Sequence, residues 1–264
     1  MNTILVPIGS SKNATNTLQY AIDFAKETNA NVYVFRAYHV MSKAGTMVNI
    51  DEIIERETNL YLRTIISSVD TKNIAVKMIT AKGKIIDKIN AIDKKLGIDL
   101  IIMEPKSNSI KEEVFLGSTS GSIVKLTKIP TLIVPEAYTF KPFKNALVAF
   151  KSGIINKNDV LNPLKNLINL FNPKINLLLV KTPEYIEKDL VLNPELESIK
   201  TTLTITENAT TFQGVLENVS QVNPDILCVF RRNRGFFKKL WEKNSILKKE
   251  FHCKVPLLVL SGMK

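Results

Sequence analysis

The sequence has little cysteine, histidine, tryptophan and glycine: two, two, one and ten residues respectively in 264. Cys228 and Cys253 cannot build a disulfide framework, so a reducing compartment fits better than a secretory one. The start, Met1 to Pro7, lacks a basic region followed by a sustained apolar stretch, and no secretory signal is expected. No long hydrophobic run occurs; stretches such as Ile129 to Val134 are far too short to cross a bilayer. These absences point to the cytoplasm and away from a membrane.

Catalytic signatures are also missing. Gly117-Ser118-Thr119-Ser120-Gly121-Ser122 lacks the lysine of a phosphate-binding P-loop. There is no Gly-x-Ser-x-Gly nucleophile elbow and no paired-carboxylate signature. His252 and Cys253, with Cys228 one strand away, have no zinc-type spacing, and His39 has no catalytic partner in sight. Neither a metal nor an enzyme is expected.

What is present is a globular composition, 45% hydrophobic and 23% charged, with a formal net charge of +11. Residues 225–264 hold ten of the basic residues against three acidic ones, so most of the excess is concentrated there. A solvated basic face explains this, and an anion-binding or nucleic-acid-binding surface is the alternative. No nucleic-acid motif accompanies the charge, so nucleic acid is not the expected partner.

Apolar patterning alternates between short β-like runs and helical periods, which argues for α/β architecture with a mainly parallel sheet. Ile4 to Ile8 reads as a strand, and Leu18, Ala21, Ile22 and Ala25 as one face of a helix. Strands at 32–37, 76–79, 100–103 and 131–134 alternate with helices around Ile53 to Ile65, Ile85 to Leu96 and Ile123-Val124. Gly97 is placed to end the third helix.

The same order returns after a linker. Ala146 to Phe150 echoes the first strand, followed by strands at 175–180, 203–205, 226–230 and 257–260. Pro163 implies a late start or a kink in one helix, and Pro194 interrupts a weaker one between Tyr185 and Ile199. Asp99 to Pro130 and Asp225 to Pro256 have identical spacing, and both segments open and close on matching residue types. The expected fold is two tandem three-layer α/β/α domains, 1–137 and 145–264 with a linker at 138–144, each with a five-stranded mainly parallel, Rossmann-like sheet. A pseudo-twofold relation between them is expected.

Several segments resemble the universal stress protein family. They are Ile4-Leu5-Val6-Pro7, Tyr20 to Ala25, Asp99 to Met103, and Leu116-Gly117-Ser118 followed by Pro130 to Pro135. The resemblance covers almost all of the first half and, more thinly, the second. It implies an adenine-nucleotide alpha-hydrolase-like fold, stress-response or regulatory binding, and ATP at the carboxyl ends of strands one and four. In such proteins an acidic residue after strand one meets the adenine, and Gly-x2-Gly-x9-Gly-Ser/Thr wraps the phosphates. The family also implies pairing of the last strands, here Thr131 to Val134 beside Leu257 to Leu260, with further homodimerisation left open and protein partners unidentified.

Transferred residue by residue, that nucleotide site is degenerate. It takes in Pro7, Ile8 and Gly9 after strand one, Ala37 at the end of strand two, then Met103, Glu104, Ser107, Gly117, Ser118 and Thr119. Gly9 stands where the acidic residue would be, and Glu104 and Ser107 stand at the first two glycine positions. A carboxylate at 104 aimed into the site would repel polyphosphate. In the second half Phe230 and Asn233 take the first glycine positions and Lys243-Asn244 replaces Gly117-Ser118. There Arg231, Arg232, Arg234, Lys243 and Asn244 are candidate contacts for an anion, which arginine can hold in bidentate fashion. The expectation is a non-catalytic binding protein without a bound cofactor. An ATP-binding protein with slow ATPase activity and an anion- or nucleic-acid-binding module are the alternatives.

Overall fold

A computed structural model of the chain describes residues 1–39, 50–105, 118–155, 159–231 and 255–261, the side chains of Ser118 and Ser261 excepted. The first half runs β1 (Thr3–Pro7), α1 (Ala14–Thr28), β2 (Asn31–Tyr38), α2 (Ile50–Ser67), β3 (Val76–Lys82), α3 (Ile85–Leu96), β4 (Leu100–Met103), α4 (Ser118–Leu126) and β5 (Thr131–Ile133). The second runs β6 (Asn145–Phe150), α5 (Asn162–Phe171), β7 (Lys174–Lys181), α6 (Pro194–Ile199), β8 (Thr202–Glu207), α7 (Thr211–Val222), β9 (Ile226–Arg231) and β10 (Leu257–Ser261). A short 3-10 turn, Glu187–Leu190, precedes α6.

Local chemistry sets these boundaries. Gly97 takes a left-handed backbone, φ 63°, and its N–H returns to Asp93 O at 2.8 Å, which stops α3 as expected. Asn29, Asn172 and Asn223 end α1, α5 and α7 in the same left-handed conformation, which asparagine tolerates better than most residues. Pro163 lies in the first turn of α5 and produces a late start rather than a kink. Pro194 does not interrupt a helix. It opens α6, with Asn193 Oδ1 accepting from the Glu195 N–H at 2.8 Å, because proline is tolerated in a first turn.

The strand order is β3-β2-β1-β4-β5-β10-β9-β6-β7-β8. Within each half all neighbours are parallel, and each half follows one order, with the fourth strand beside the first. The two five-strand sets are not separate sheets: β5 and β10 pair antiparallel, Leu257 opposite Ile133 and Val259 opposite Thr131, and make them continuous. This is the edge pairing that the family resemblance implies. It covers two strand edges that would otherwise be open to other chains.

The repeated aspartates have the same task in both halves. Asp99 Oδ2 accepts from the Asn2 and Thr3 amides at 2.6 and 3.0 Å, and Asp225 Oδ2 accepts from the Lys144 and Asn145 amides, each at 3.0 Å. Each carboxylate therefore ties the entry of a fourth strand to the entry of the neighbouring first strand.

Strand residues alternate between the sheet faces. Ile4, Val6, Leu100 and Ile102 share one core with Ala146, Val148 and Cys228, covered by helices such as α1 and α5. Leu5, Ile101, Met103 and Ile133 share the other with Leu147, Ala149 and Val229. Both cores run through both halves. Phe140 and Phe143 extend the first core into the connection between halves, meeting Phe171 at ring-centroid distances of 6.1 and 5.3 Å, while Phe140 also meets Tyr20 at 5.5 Å.

Candidate functional site

The order of the first half reverses direction between β1 and β4, and in open parallel sheets ligands bind beyond the carboxyl ends of strands at such a crevice. A cavity of about 250 Å³ lies there. Pro7 to Ser11 form one wall, Met103 and Glu104 another, and Thr119, Ser120 and Ile123 of α4 a third, with Ile85 completing it.

The β1 wall is held from outside. Arg36 Nη1 and the Tyr61 hydroxyl both donate to Gly9 O at 2.9 Å, and Arg36 Nη2 donates to Ser10 Oγ at 2.8 Å. The Arg36 guanidinium carbon lies 4.2 Å from the Tyr61 ring centroid, a cation–π arrangement that keeps the two donors together. Asn13 N–H donates to Ser11 Oγ at 3.1 Å. On the far wall Ser120 Oγ donates to Glu104 O at 2.9 Å, fastening the start of α4 to the end of β4.

Glu104 dominates the interior. The residue is only 8% exposed, and its Oε2 accepts a hydrogen bond from Ser11 Oγ. A β-carbon built on Gly9 would stand 3.3 Å from Glu104 Oε1, so the carboxylate lies directly against position 9 and crowds any side chain there. Burial pushes this carboxyl above its ordinary range; the Ser11 hydroxyl opposes the shift and the Glu136 charge adds to it. The cavity thus presents an acidic acceptor, hydroxyls and an apolar floor.

Of the residues expected in this site, Pro7, Ile8, Gly9, Met103, Glu104 and Thr119 line the one cavity. Ala37 does not: it pairs with Ala81 and packs against the second core. Ser118 opens α4, and Ser107 and Gly117 lie outside the described residues. Sequence reasoning missed Arg36, Tyr61 and Ser11. Only Ser11 carried a signal, its position two residues beyond Gly9.

In the second half two of the corresponding positions are packed by the chain itself. Ile4 pairs with Leu100 as Ala146 pairs with Ile226, which sets Phe230 at the position of Glu104 and Gly153 at that of Ser11. Phe230 is buried and meets Phe150 edge-on at 6.3 Å. Gly153 N–H donates to Asp189 O at 2.8 Å and Gly153 O accepts from Asn193 N–H at 2.9 Å. A β-carbon on Gly153 would lie 2.5 Å from Val191 O, so only glycine permits this backbone-on-backbone contact.

Arg231 was expected as an anion contact, and its Nη1 is used otherwise. It reaches into the first half and donates to Val124 O at 2.9 Å, Lys125 O at 3.1 Å and Thr127 O, the carbonyls at the end of α4. A cation there satisfies helix-terminal acceptors and complements the helix dipole. Arg232, Arg234, Lys243, Asn244, His252 and Cys253 lie outside the described residues. Cys228 is fully buried in β9, and burial pushes its thiol far above the ordinary range. Among the described residues no cluster of three His, Cys, Asp or Glu could hold a metal, and no helix is long and apolar enough to cross a membrane.

Comparison with known proteins bears on the family and the fold. The sequence profile of the Universal stress protein family matches residues 1–135. A universal stress protein of Methanocaldococcus jannaschii is 24% identical over 138 residues, 50% of this chain and 81% of that protein. Universal stress protein YxiE of Bacillus subtilis is 28% identical over 145 residues, 50% of this chain and 98% of the relative. Among solved structures, a universal stress protein from Archaeoglobus fulgidus superposes with a TM-score of 0.69 at 19% identity, covering 99% of this chain and 96% of its own. A functionally unknown protein from Pseudomonas aeruginosa gives 0.61 at 14% identity, covering 99% and 93%. At these identities the structural likeness speaks for the fold, and it extends over both halves.

Proposed function

The chain belongs to the universal stress protein family, and from that premise we propose that it is a non-catalytic stress-response or regulatory binding protein of the cytoplasm whose nucleotide pockets no longer take a polyphosphate. The supporting observation is Glu104. Its carboxylate lies inside the β1–β4 cavity, against Gly9, and repels further negative charge there. Where related sites bring backbone amides to phosphate, this one brings an acceptor.

The units are taken as 1–137 and 145–264, joined by 138–144. In the second unit the buried Phe230 takes the position of Glu104, and the 189–193 segment packs on Gly153, the counterpart of Ser11.

Native mass spectrometry of freshly purified protein, together with an assay for ADP release from ATP, tests this reading. A mass equal to the bare chain or its oligomers and no ADP above background are expected. A co-purified nucleotide, or turnover abolished by substitutions in the cavity, overturns it.

A further inference from the structure

Among the described residues the ten-stranded sheet ends in two edges, β3 and β8, and the chain treats them differently. At β3 the 18-residue α2 packs on the sheet against both β2 and β3, and the strand itself carries Lys77 and Lys82, charges that discourage pairing with another chain. In the second half the segment between β7 and β8 provides the Glu187–Leu190 turn and the six-residue α6, with no long helix. Leu177 and Leu179 of β7 are fully buried, yet their β8 partners Leu203 and Ile205 are 37% and 47% exposed on the same face. The only charged residue in β8 is Glu207, at its end.

We infer that β8 is a self-association surface, pairing antiparallel with β8 of a second copy of this chain. The backbone parity permits it. Lys181 pairs with Glu207 and accepts from the Asn208 N–H at 3.0 Å, so even-numbered residues of β8 direct their backbone groups to β7. The N–H and C=O groups of Leu203, Ile205 and Glu207 then face outward. A twofold axis through Thr204 sets Leu203 of each copy opposite Ile205 of the other, with both pairs on the exposed apolar face and threonines on the opposite one.

Self-complementarity selects a second copy over an unrelated strand. The sequence Thr-Leu-Thr-Ile-Thr reads the same pattern in both directions, so the antiparallel register aligns apolar with apolar and threonine with threonine throughout. At each end Glu207 of one copy falls beside Thr201 of the other, next to Lys200, and no like charges meet. The association is isologous and closed, and it leaves β5 and β10 in their contact within the chain.

Sedimentation velocity on the full chain and on Ile205→Lys tests the surface, and oxidation of Thr204→Cys tests the register. The wild type is expected to sediment as a dimer at tens of micromolar and Ile205→Lys as a folded monomer with an unchanged circular dichroism spectrum. Thr204 sits on the axis as a non-hydrogen-bonded pair, with an α-carbon separation of about 4.5 Å, within disulfide reach. Thr204→Cys should therefore form a covalent dimer that the wild type does not. A wild-type monomer, a dimer that survives Ile205→Lys, or a Thr204→Cys dimer without the cross-link overturns the inference.

Discussion

Glu104 Oε1 lies 3.3 Å from the point where a β-carbon on Gly9 would stand, so a side chain at position 9 requires the carboxylate to give way by a few tenths of an ångström. The carboxyl is buried and its pKa is raised in the folded state. Between the unfolded value, about 4.3, and the raised folded value, the native protein binds more protons than the unfolded chain. Stability therefore falls as pH rises through that window, and the penalty is complete above it. Glu104→Gln is expected to raise the melting temperature at neutral pH, with the difference fading towards pH 4. Calorimetry at both pH values checks this, and a neutral-pH loss of stability contradicts it.

Gly9→Asp places a second carboxylate against the first. It should destabilise the protein at neutral pH and be partly rescued by Glu104→Gln. The coupling energy of a double-mutant cycle should fall in the range of about 0.5–3 kcal/mol for residues in contact. Strict additivity would show that the two side chains do not meet.

Asp225 behaves in the opposite sense to Glu104. Desolvation works against its charge, but the Lys141 ammonium at 2.9 Å and the Lys144 and Asn145 amides outweigh it and lower its pKa. Its contribution is present above the unfolded value of about 3.9 and is lost as pH falls through the lowered folded value. Asp225→Asn should cost about 1.5–3 kcal/mol at neutral pH, as for hydrogen bonds to a charged group, and progressively less in acid. Urea unfolding at two pH values measures this.

Arg231→Met removes the cation that bridges β9 to the end of α4 and leaves the Val124, Lys125 and Thr127 carbonyls without that donor. A loss of about 1–3 kcal/mol is expected, with Arg231→Lys retaining part of it because a cation remains near the helix end. Equal stability of the wild type and Arg231→Met in chemical denaturation contradicts the bridge.

Much of the fold could be read from the sequence because local rules agreed with the final topology. Leu100 to Met103 and Ile226 to Phe230 are short apolar runs, Gly97 is a helix stop, and the Asp-to-Pro spacing recurs. Even the β5–β10 pairing followed, although through family resemblance rather than from the residues alone. Long-range contacts were hidden. Nothing near Arg231 in sequence announces a helix end more than a hundred residues away, and Gly153 gives no sign that Val191 lies over it. For Glu104 the position was legible. Its Ser11 partner and its contact with Gly9 required the packed structure.

Isothermal titration calorimetry of magnesium–ATP into the wild type and Glu104→Gly tests the central claim most directly. No saturable heat is expected for the wild type, because the Glu104 carboxylate lies against Gly9 inside the cavity and repels phosphate. Measurable binding should appear only when that carboxylate is removed. Saturable binding of ATP to the wild type, unchanged by the substitution, contradicts the account.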